Sequence, residues 1–184
     1  VWNGLGRALD LTHPDAQGYV RDVIQTAITD WGFPYLKLDF LYAAALPGEH
    51  HDPTKTRAQI LRQALELIRE EAGPDTILLG CGCPIGSGIG IFDMMRISAD
   101  VSPEWEPNAF GIRRPLKAEP NMPCARNAIQ NITTRAPMDP HWWVNDPDCL
   151  LVRADSKLTL AEVQSLASAI SLSGGAILLS DDMS

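Results

Sequence analysis

Residues 33–40 have the sequence FPYLKLDF, an alternating stretch that predicts a β-strand ending at an acidic side chain. Because successive side chains of a strand point to opposite faces, Leu36 and Leu38 share one face and suit packing under helices. Lys37 and Asp39 share the other face. This strand therefore presents a cation and a carboxylate on the same side.

The same pattern recurs in residues 93–100, where Arg96, Ser98 and Asp100 share one predicted strand face. Charges are costly to bury unless they pair, so one such strand alone would favour a structural ion pair. Two strands that each carry a cation and a terminal aspartate favour an active site instead. In parallel α/β sheets, reactive groups collect at the carboxyl ends of strands.

Strand and helix patterns alternate along the chain, which predicts an α/β fold with a parallel sheet. The predicted strand segments are residues 6–11 (as a strand end), 33–40, 76–80, 93–100, 142–145 and 176–180. Six strands are about two fewer than a closed (β/α)₈ barrel contains.

Helices are predicted between these strands from periodic apolar residues. The first has an apolar face formed by Val20, Val23, Ile24, Ala27, Ile28 and Trp31. The second has a face formed by Ile60, Leu61, Ala64, Leu65, Leu67 and Ile68. A third includes residues 125–132, and the capping box Thr159-x-x-Glu162 opens a fourth.

Several classes of function are excluded by composition. The chain has 184 residues, one domain's length, and a net charge of −8 without a basic patch, so nucleic acid is not an expected partner. No apolar run reaches the ~18 residues of a membrane span. Four cysteines are too few for a disulfide scaffold, and the pair Cys81-x-Cys83 lacks the wider spacing and second ligand pair of zinc sites.

The glycine-rich segment at residues 80–88 raises the alternative of a dinucleotide-binding domain. Its Gly-x-Gly-x-x-Gly fingerprint is incomplete, because Ile85 and Ile91 stand where the third glycine belongs, and no phosphate-binding loop occurs elsewhere. The glycines are better explained by a tight turn or by close approach of the backbone to a sugar.

Isolated histidines and tryptophans have structural explanations. His13 is expected to cap a helix or to lie on the surface, and His50 and His51 are expected to be solvated loop residues. Trp142 and Trp143 point to opposite faces of a strand, so at least one is expected in the core.

Four segments, in order along the chain, resemble the α-galactosidases of glycoside hydrolase clan D, families 27 and 36. They are YLKLD at 35–39, RISAD at 96–100, WVNDPD at 143–148 and LSGGAILLSDD at 172–182. The resemblance implies an incomplete (β/α)₈ TIM barrel covering about strands three to eight. Residues 1–184 are then expected to be a partial catalytic domain, without the family's first strands and C-terminal β-domain.

The resemblance also implies retaining hydrolysis of α-galactosides without a metal or cofactor. Asp39 corresponds to the nucleophile and Asp100 to the acid/base, and such carboxyls are about 5–5.5 Å apart. Lys37 beside Asp39 favours the charged form that a nucleophile requires. Trp105, in the proline-rich loop at residues 102–123, is expected to help form an apolar wall beside Asp100. Such a wall raises the pKa of a carboxyl, as a general acid requires, whereas the Arg96 cation lowers it.

Other side chains are implied to bind the substrate. Lys37 and Arg96 look like ligands of sugar hydroxyls, and either Cys81 or Cys83 matches a cysteine that lines the family's sugar pocket. Asp146 belongs to the same predicted set and Asp148 is considered with it, although the Asn-Asp-Pro-Asp sequence also makes a good turn.

Three alternatives stay open. Leu38 stands where family 36 usually has tryptophan, whereas the arginine four residues before Asp100 is closer to family 27. The sugar is galactose or another α-linked sugar such as N-acetylgalactosamine. The alternative from another class is a non-catalytic carbohydrate-binding fragment or scaffold, whose open sheet edges would favour a homo-oligomer.

Overall fold

The computed structural model of the chain describes residues 7–108, 119–153 and 155–181. It divides into two compact units, Val1–Met94 and Met95–Ser184. Both units contain helices and strands, and each has a parallel strand pair, so the predicted α/β class is confirmed. None of the helices in these ranges has both the length and the apolar character needed to cross a lipid bilayer.

In the first unit, helices alternate with parallel strands as predicted. The elements are α1 (Pro14–Gln25), a π-helical turn (Thr26–Asp30), β1 (Tyr35–Leu38), a 3₁₀ turn (Leu41–Ala45), α2 (Arg57–Ala72), β2 (Ile77–Gly80) and α3 (Ile85–Gly88). Strand β3 (Met94–Arg96) begins at the last residue of this unit. The His13 side chain accepts a hydrogen bond from the Asp15 amide at the start of α1, which confirms its predicted capping role.

Helix α2 supplies the largest share of the buried residues in the first unit. Thr56 and Gln59 form a capping box at its start, and Gly73 follows its last turn with a φ of 71°. The buried face contains all six predicted apolar residues: Ile60, Leu61, Ala64, Leu65, Leu67 and Ile68. The strand residues Leu78 and Leu79 are buried as well, and burial of this apolar surface stabilises the unit.

Asp10 connects the segment before α1 to the loop before α2. Its Oδ1 accepts hydrogen bonds from the amide and hydroxyl of Thr12, at 3.0 and 2.7 Å, and its Oδ2 accepts one from the His51 amide at 2.6 Å. His50 Nδ1 lies 3.2 Å from Oδ1. Burial by itself raises the pKa of Asp10, but the hydrogen bonds outweigh it and hold that pKa well below its usual range. The prediction that His50 is solvated is wrong, because only 17% of its side chain is exposed.

The second unit packs two helices around its own core. Its remaining elements are α4 (Ala125–Arg135), a 3₁₀ turn (Ala136–Met138), β4 (Val144–Asp146), β5 (Cys149–Leu150), α5 (Leu160–Leu172) and β6 (Leu178–Leu179). The predicted capping box of Thr159 and Glu162 is present at the start of α5. The core cluster consists of Ala128, Ile132, Leu151, Leu166 and Ile170.

Some predicted strands differ from the observed ones. Residues 7–11 contain no strand, and β5 was not predicted. The segment predicted at 93–100 forms a strand only at Met94–Arg96. The prediction for the tryptophan pair is confirmed, because Trp143 is 4% exposed and Trp142 is 46% exposed.

Replacing Gly175 by alanine is expected to destabilise the second unit. Gly175 has a φ of 88°, and an added Cβ would overlap the carbonyl oxygen of Asn145. Left-handed strain and overpacking together predict a loss of about 2–4 kcal/mol in the free energy of unfolding. Urea unfolding followed by circular dichroism measures it.

The matched control is Gly18→Ala, in helix α1, where an added Cβ meets nothing within 4 Å. This control is expected to leave stability unchanged or to raise it, because alanine favours helix. Equal stabilities for the Gly175→Ala and Gly18→Ala proteins would show that the close approach of Gly175 to Asn145 is wrong.

Candidate active site

In the first unit, Asp39 follows β1 directly and is exposed, as expected for a residue that meets a substrate. Its Oδ1 accepts a hydrogen bond from the Phe40 amide at 2.7 Å. Phe40 has a φ of 54°, a left-handed backbone conformation that residues other than glycine adopt rarely. The predicted alternation is confirmed, since Leu36 and Leu38 are half-buried while Lys37 and Asp39 are exposed. Among the described residues, no ion pair joins Lys37 to Asp39.

The segments that follow β1 and β2 are held together at the carboxyl ends of these parallel strands. The register pairs Leu38 with Gly80. The Tyr42 amide then donates to the Gly82 carbonyl at 2.8 Å. A Cβ on Gly82 would lie 3.2 Å from the Phe40 backbone, so the glycine permits this approach. The segment after Asp39 therefore lies against the segment between the two candidate cysteines.

Cys81 is buried and Cys83 is half-buried, and both side chains are in the thiol form. Burial raises the pKa of the Cys83 thiol to about 11. Its sulfur donates a weak hydrogen bond to the Pro84 carbonyl at 3.5 Å. At neutral pH, Cys83 is thus a small, uncharged side chain and a poor nucleophile.

Alkylation of Cys83 in the folded protein is expected to be slow at pH 7.5 and to accelerate about tenfold per pH unit up to about pH 11. The thiolate is the reactive form, and the raised pKa keeps its fraction about a hundredfold below that of an ordinary thiol. Iodoacetamide labelling followed by peptide mass spectrometry measures the rate, in a Cys81→Ser background that leaves one thiol in the peptide.

The urea-unfolded protein is the reference for this labelling, since its cysteines have ordinary pKa values. A labelling rate of the folded protein that reaches its plateau near pH 9 would contradict the environment described for Cys83.

In the second unit, Arg96 is the centre of a cluster of carboxylates. Its Nε donates to Asp146 Oδ2 at 3.0 Å, its Nη1 donates to Asp100 Oδ1 at 2.9 Å, and its Nη2 lies 2.9 Å from Asp148 Oδ1. The Arg96 side chain is 6% exposed and that of Asp146 is 0% exposed, whereas that of Asp100 is 68% exposed. A buried arginine therefore holds the carboxylate of Asp100, which is itself exposed to solvent.

Asp146 and Trp105, both predicted to contact the substrate, are less accessible than Asp100. Asp146 has no exposed surface and uses its second oxygen to accept from the Asp148 amide at 2.9 Å, which favours its turn-forming role over direct contact with a sugar. Trp105 is half-buried, and its carbonyl accepts from the Arg126 amide at 3.2 Å. Part of the predicted loop, residues 109–118, lies outside the described residues.

The predicted residues are divided between the two units. Lys37, Asp39, Cys81 and Cys83 belong to the first unit, and Arg96, Asp100, Trp105 and Asp146 belong to the second. The meeting of Asp39 with Asp100 stays a prediction. Sequence analysis weighed Asp148, two residues after β4, as a substrate contact or a turn residue, but it did not predict the ion pair of Asp148 with Arg96. In the described residues, no group of three or more His, Cys, Asp or Glu side chains is arranged to hold a metal ion.

Comparison with known proteins first defines a class. No family model matches the sequence. The solved structures that it matches include glycosidases built on TIM barrels. One is isomalto-dextranase from Arthrobacter globiformis complexed with panose, with 23% identity, a TM-score of 0.61, and coverage of 93% of this chain and 29% of that one.

Within this class, the chain is similar to α-galactosidases. The enzyme from Thermus thermophilus, in complex with p-nitrophenyl α-D-galactopyranoside, is 32% identical with a TM-score of 0.78, over 95% of this chain and 34% of that one. α-Galactosidase I from Mortierella vinacea is 16% identical with a TM-score of 0.61, over 89% and 42%. The chain therefore has an α-galactosidase-like fold of the glycoside hydrolase type, and it spans about a third of the Thermus enzyme.

Proposed function

We propose that the chain carries the catalytic aspartates of a retaining glycoside hydrolase that cleaves α-galactosidic bonds. The observation that carries the proposal is 32% identity, over 95% of this chain, with an α-galactosidase in complex with an α-galactoside. Exposed aspartates in the segments that follow two strands support it. Asp39 lies free to solvent after β1, and Asp100 is exposed beside the buried Arg96.

Asp39 attacks the anomeric carbon, and the bond from that carbon to the glycosidic oxygen breaks. Asp100 donates its proton to the departing oxygen, which leaves a galactosyl group bound covalently to Asp39. Asp100 then takes a proton from water, whose oxygen displaces Asp39 from the anomeric carbon. Two displacements restore the starting configuration, so the product is the α-anomer.

The other polar residues are proposed to orient the sugar. Lys37 and Arg96 donate to sugar hydroxyls, Cys81 or Cys83 lines the sugar pocket, and Trp105 supplies apolar surface. Arg96 already donates to Asp100, and its guanidinium carries five N–H groups in a rigid fork, so one side chain can hold both Asp100 and a hydroxyl. The fully buried Asp146 acts through Arg96.

Hydrolysis of p-nitrophenyl α-D-galactopyranoside and of stachyose by the purified chain tests the proposal. Stachyose is included because the Thermus enzyme has also been solved in complex with it, at 31% identity over 94% of this chain and 36% of that one. The corresponding β-galactoside is the control. Proton NMR of the first galactose released is expected to show the α-anomer, and the β-anomer would contradict a retaining mechanism.

Two results would support the alternatives instead. Galactose binding in calorimetry without hydrolysis of either substrate would favour a non-catalytic carbohydrate-binding chain. Faster hydrolysis of the α-N-acetylgalactosaminide than of the α-galactoside would assign another sugar to the same mechanism.

A further inference from the structure

Asp148 connects Arg96 to the backbone that follows Asp100. Its Oδ1 lies 2.9 Å from Arg96 Nη2, and its Oδ2 accepts a hydrogen bond from the Val101 amide at 2.7 Å. Arg96 Nη1 in turn donates to Asp100 Oδ1 at 2.9 Å. One side chain thus contacts both the cation that holds the Asp100 carboxyl and the peptide group next to the Asp100 Cα.

The surroundings of Asp148 fix its own position. Its side chain is only 9% exposed, and its amide donates to Asp146 Oδ1 at 2.9 Å. The Cys149 thiol donates to Asp148 Oδ1 at 3.2 Å. Its backbone φ is 73°, a left-handed conformation that persists where surrounding contacts enforce it and that is found often at functional sites.

These contacts leave Asp148 little room to act on a substrate itself. Both carboxylate oxygens are bonded within the chain, and the side chain is largely buried, whereas that of Asp100 is 68% exposed. A carboxylate that accepts from Arg96 and Val101 at once restrains Asp100 at two points, the carboxyl and the main chain.

We propose that Asp148 is the positioning residue for Asp100, and that it aims the acid/base carboxyl at the glycosidic oxygen through Arg96 and the Val101 amide. This inference rests on the proposed role of Asp100. Such positioning matters in proportion to how much the leaving group needs a proton. A correctly positioned acid raises the rate of a reaction that needs a proton by about 10²–10⁴-fold. An acid that is displaced from this position loses much of the rate enhancement.

Substrates with different leaving groups therefore separate positioning from a general structural effect. p-Nitrophenolate is a good leaving group and departs with little help from an acid. The sugar alkoxide released from stachyose is a poor one and needs its proton in the transition state. A residue that positions the acid should affect kcat/KM, which reports the first displacement, far more for stachyose.

Asp148→Asn is the informative variant. An amide has one acceptor oxygen, so it can serve Val101 or Arg96 but not both, and asparagine tolerates the left-handed backbone. kcat/KM for stachyose is expected to fall about 100-fold, and that for p-nitrophenyl α-D-galactopyranoside by less than about 5-fold. The control is Asp155→Asn, which alters an exposed pair with Arg153 in the same unit and should change neither value.

A second measurement does not depend on activity. In the Asp148→Asn protein, the resonance of the Val101 amide is expected to shift in the ¹⁵N–¹H spectrum, and its proton is expected to exchange faster with solvent. The reason is that a neutral amide replaces the carboxylate that accepts its hydrogen bond. Asp148→Gly serves if the asparagine variant does not fold, since glycine accepts the positive φ and removes both contacts.

Each result has one meaning. Equal losses on both substrates, or a Val101 resonance that does not move, would overturn the positioning role while leaving the proposed function intact. Absence of hydrolysis by the wild-type chain on both substrates would overturn the proposed function and the catalytic role of Asp148 together, even if the Val101 shift confirms the contact. A selective loss on stachyose together with the Val101 shift supports the inference.

Discussion

The Asp39→Ala protein is expected to lose turnover of p-nitrophenyl α-D-galactopyranoside by about 10⁴-fold or more relative to the wild type. Asp39 is the group that forms the covalent bond in the proposed mechanism, and removal of a nucleophile typically costs several orders of magnitude in kcat. Asp39 is exposed and makes no ion pair with Lys37 in the described residues, so the fold should tolerate the change. Steady-state kinetics, with melting followed by circular dichroism, measures both effects.

The matched control is Asp75→Ala. Asp75 is also an exposed aspartate of the first unit, but it precedes β2, whereas Asp39 follows β1. Because β1 and β2 are parallel, the two aspartates lie at opposite ends of the strand pair. The control should keep wild-type turnover, since reactive groups belong at the carboxyl ends.

Rescue by an added anion sharpens this prediction. Azide can enter the space left by the Asp39 carboxylate and attack the anomeric carbon directly, which releases p-nitrophenolate and forms β-galactosyl azide. We expect azide to restore p-nitrophenolate release in Asp39→Ala and to have no such effect on the wild type. Near-normal turnover by Asp39→Ala without azide would remove the nucleophile assignment.

Local patterns in the sequence were sufficient to predict those elements whose structure is determined by residues close together along the chain. The six apolar residues of α2 recur at helical spacing and are buried together. The capping box of Thr159 and Glu162 closes within three residues and is present. The alternation around Lys37 is confirmed for the same reason, because strand geometry alone sets it.

The Arg96 cluster lay beyond local patterns because its contacts join distant residues. The prediction placed Arg96 and Asp100 on one face of a strand that reaches residue 100, but β3 ends at Arg96. Their ion pair forms although Asp100 lies outside the strand, and the Val101 amide beside it is held by Asp148, 47 residues further along. No spacing rule connects positions so far apart.

The first helix shows the converse limit. Its apolar pattern predicts one buried face, yet Ile24 is 5% exposed while Val23 is 46% and Trp31 is 68% exposed. Periodicity shows that a helix has an apolar face, but burial depends on which element packs there. The same limit applies to β5, two residues whose pairing with β6 sets their conformation.

Asp146→Ala, which removes the buried partner of Arg96, is expected to lower the free energy of unfolding far more than Asp155→Ala, which removes the exposed partner of Arg153. Asp146 has no exposed surface and bonds both Arg96 Nε and the Asp148 amide. Asp146→Ala leaves a buried guanidinium with one carboxylate fewer and an amide without its acceptor, and such losses cost about 3–5 kcal/mol. The urea concentration at half-unfolding should fall accordingly.

Asp155→Ala provides the contrast within the same unit, since Asp155 pairs with Arg153 at 3.3 Å while its side chain is 80% exposed. Solvent screens such a pair, so this variant should unfold at the wild-type urea concentration within error. Asp146→Asn should fall between the two, because its amide oxygen can still accept one of the two hydrogen bonds. Similar losses for Asp146→Ala and Asp155→Ala would mean that Arg96 is not held by buried charge, and the positioning of Asp100 through Arg96 would then lose its foundation.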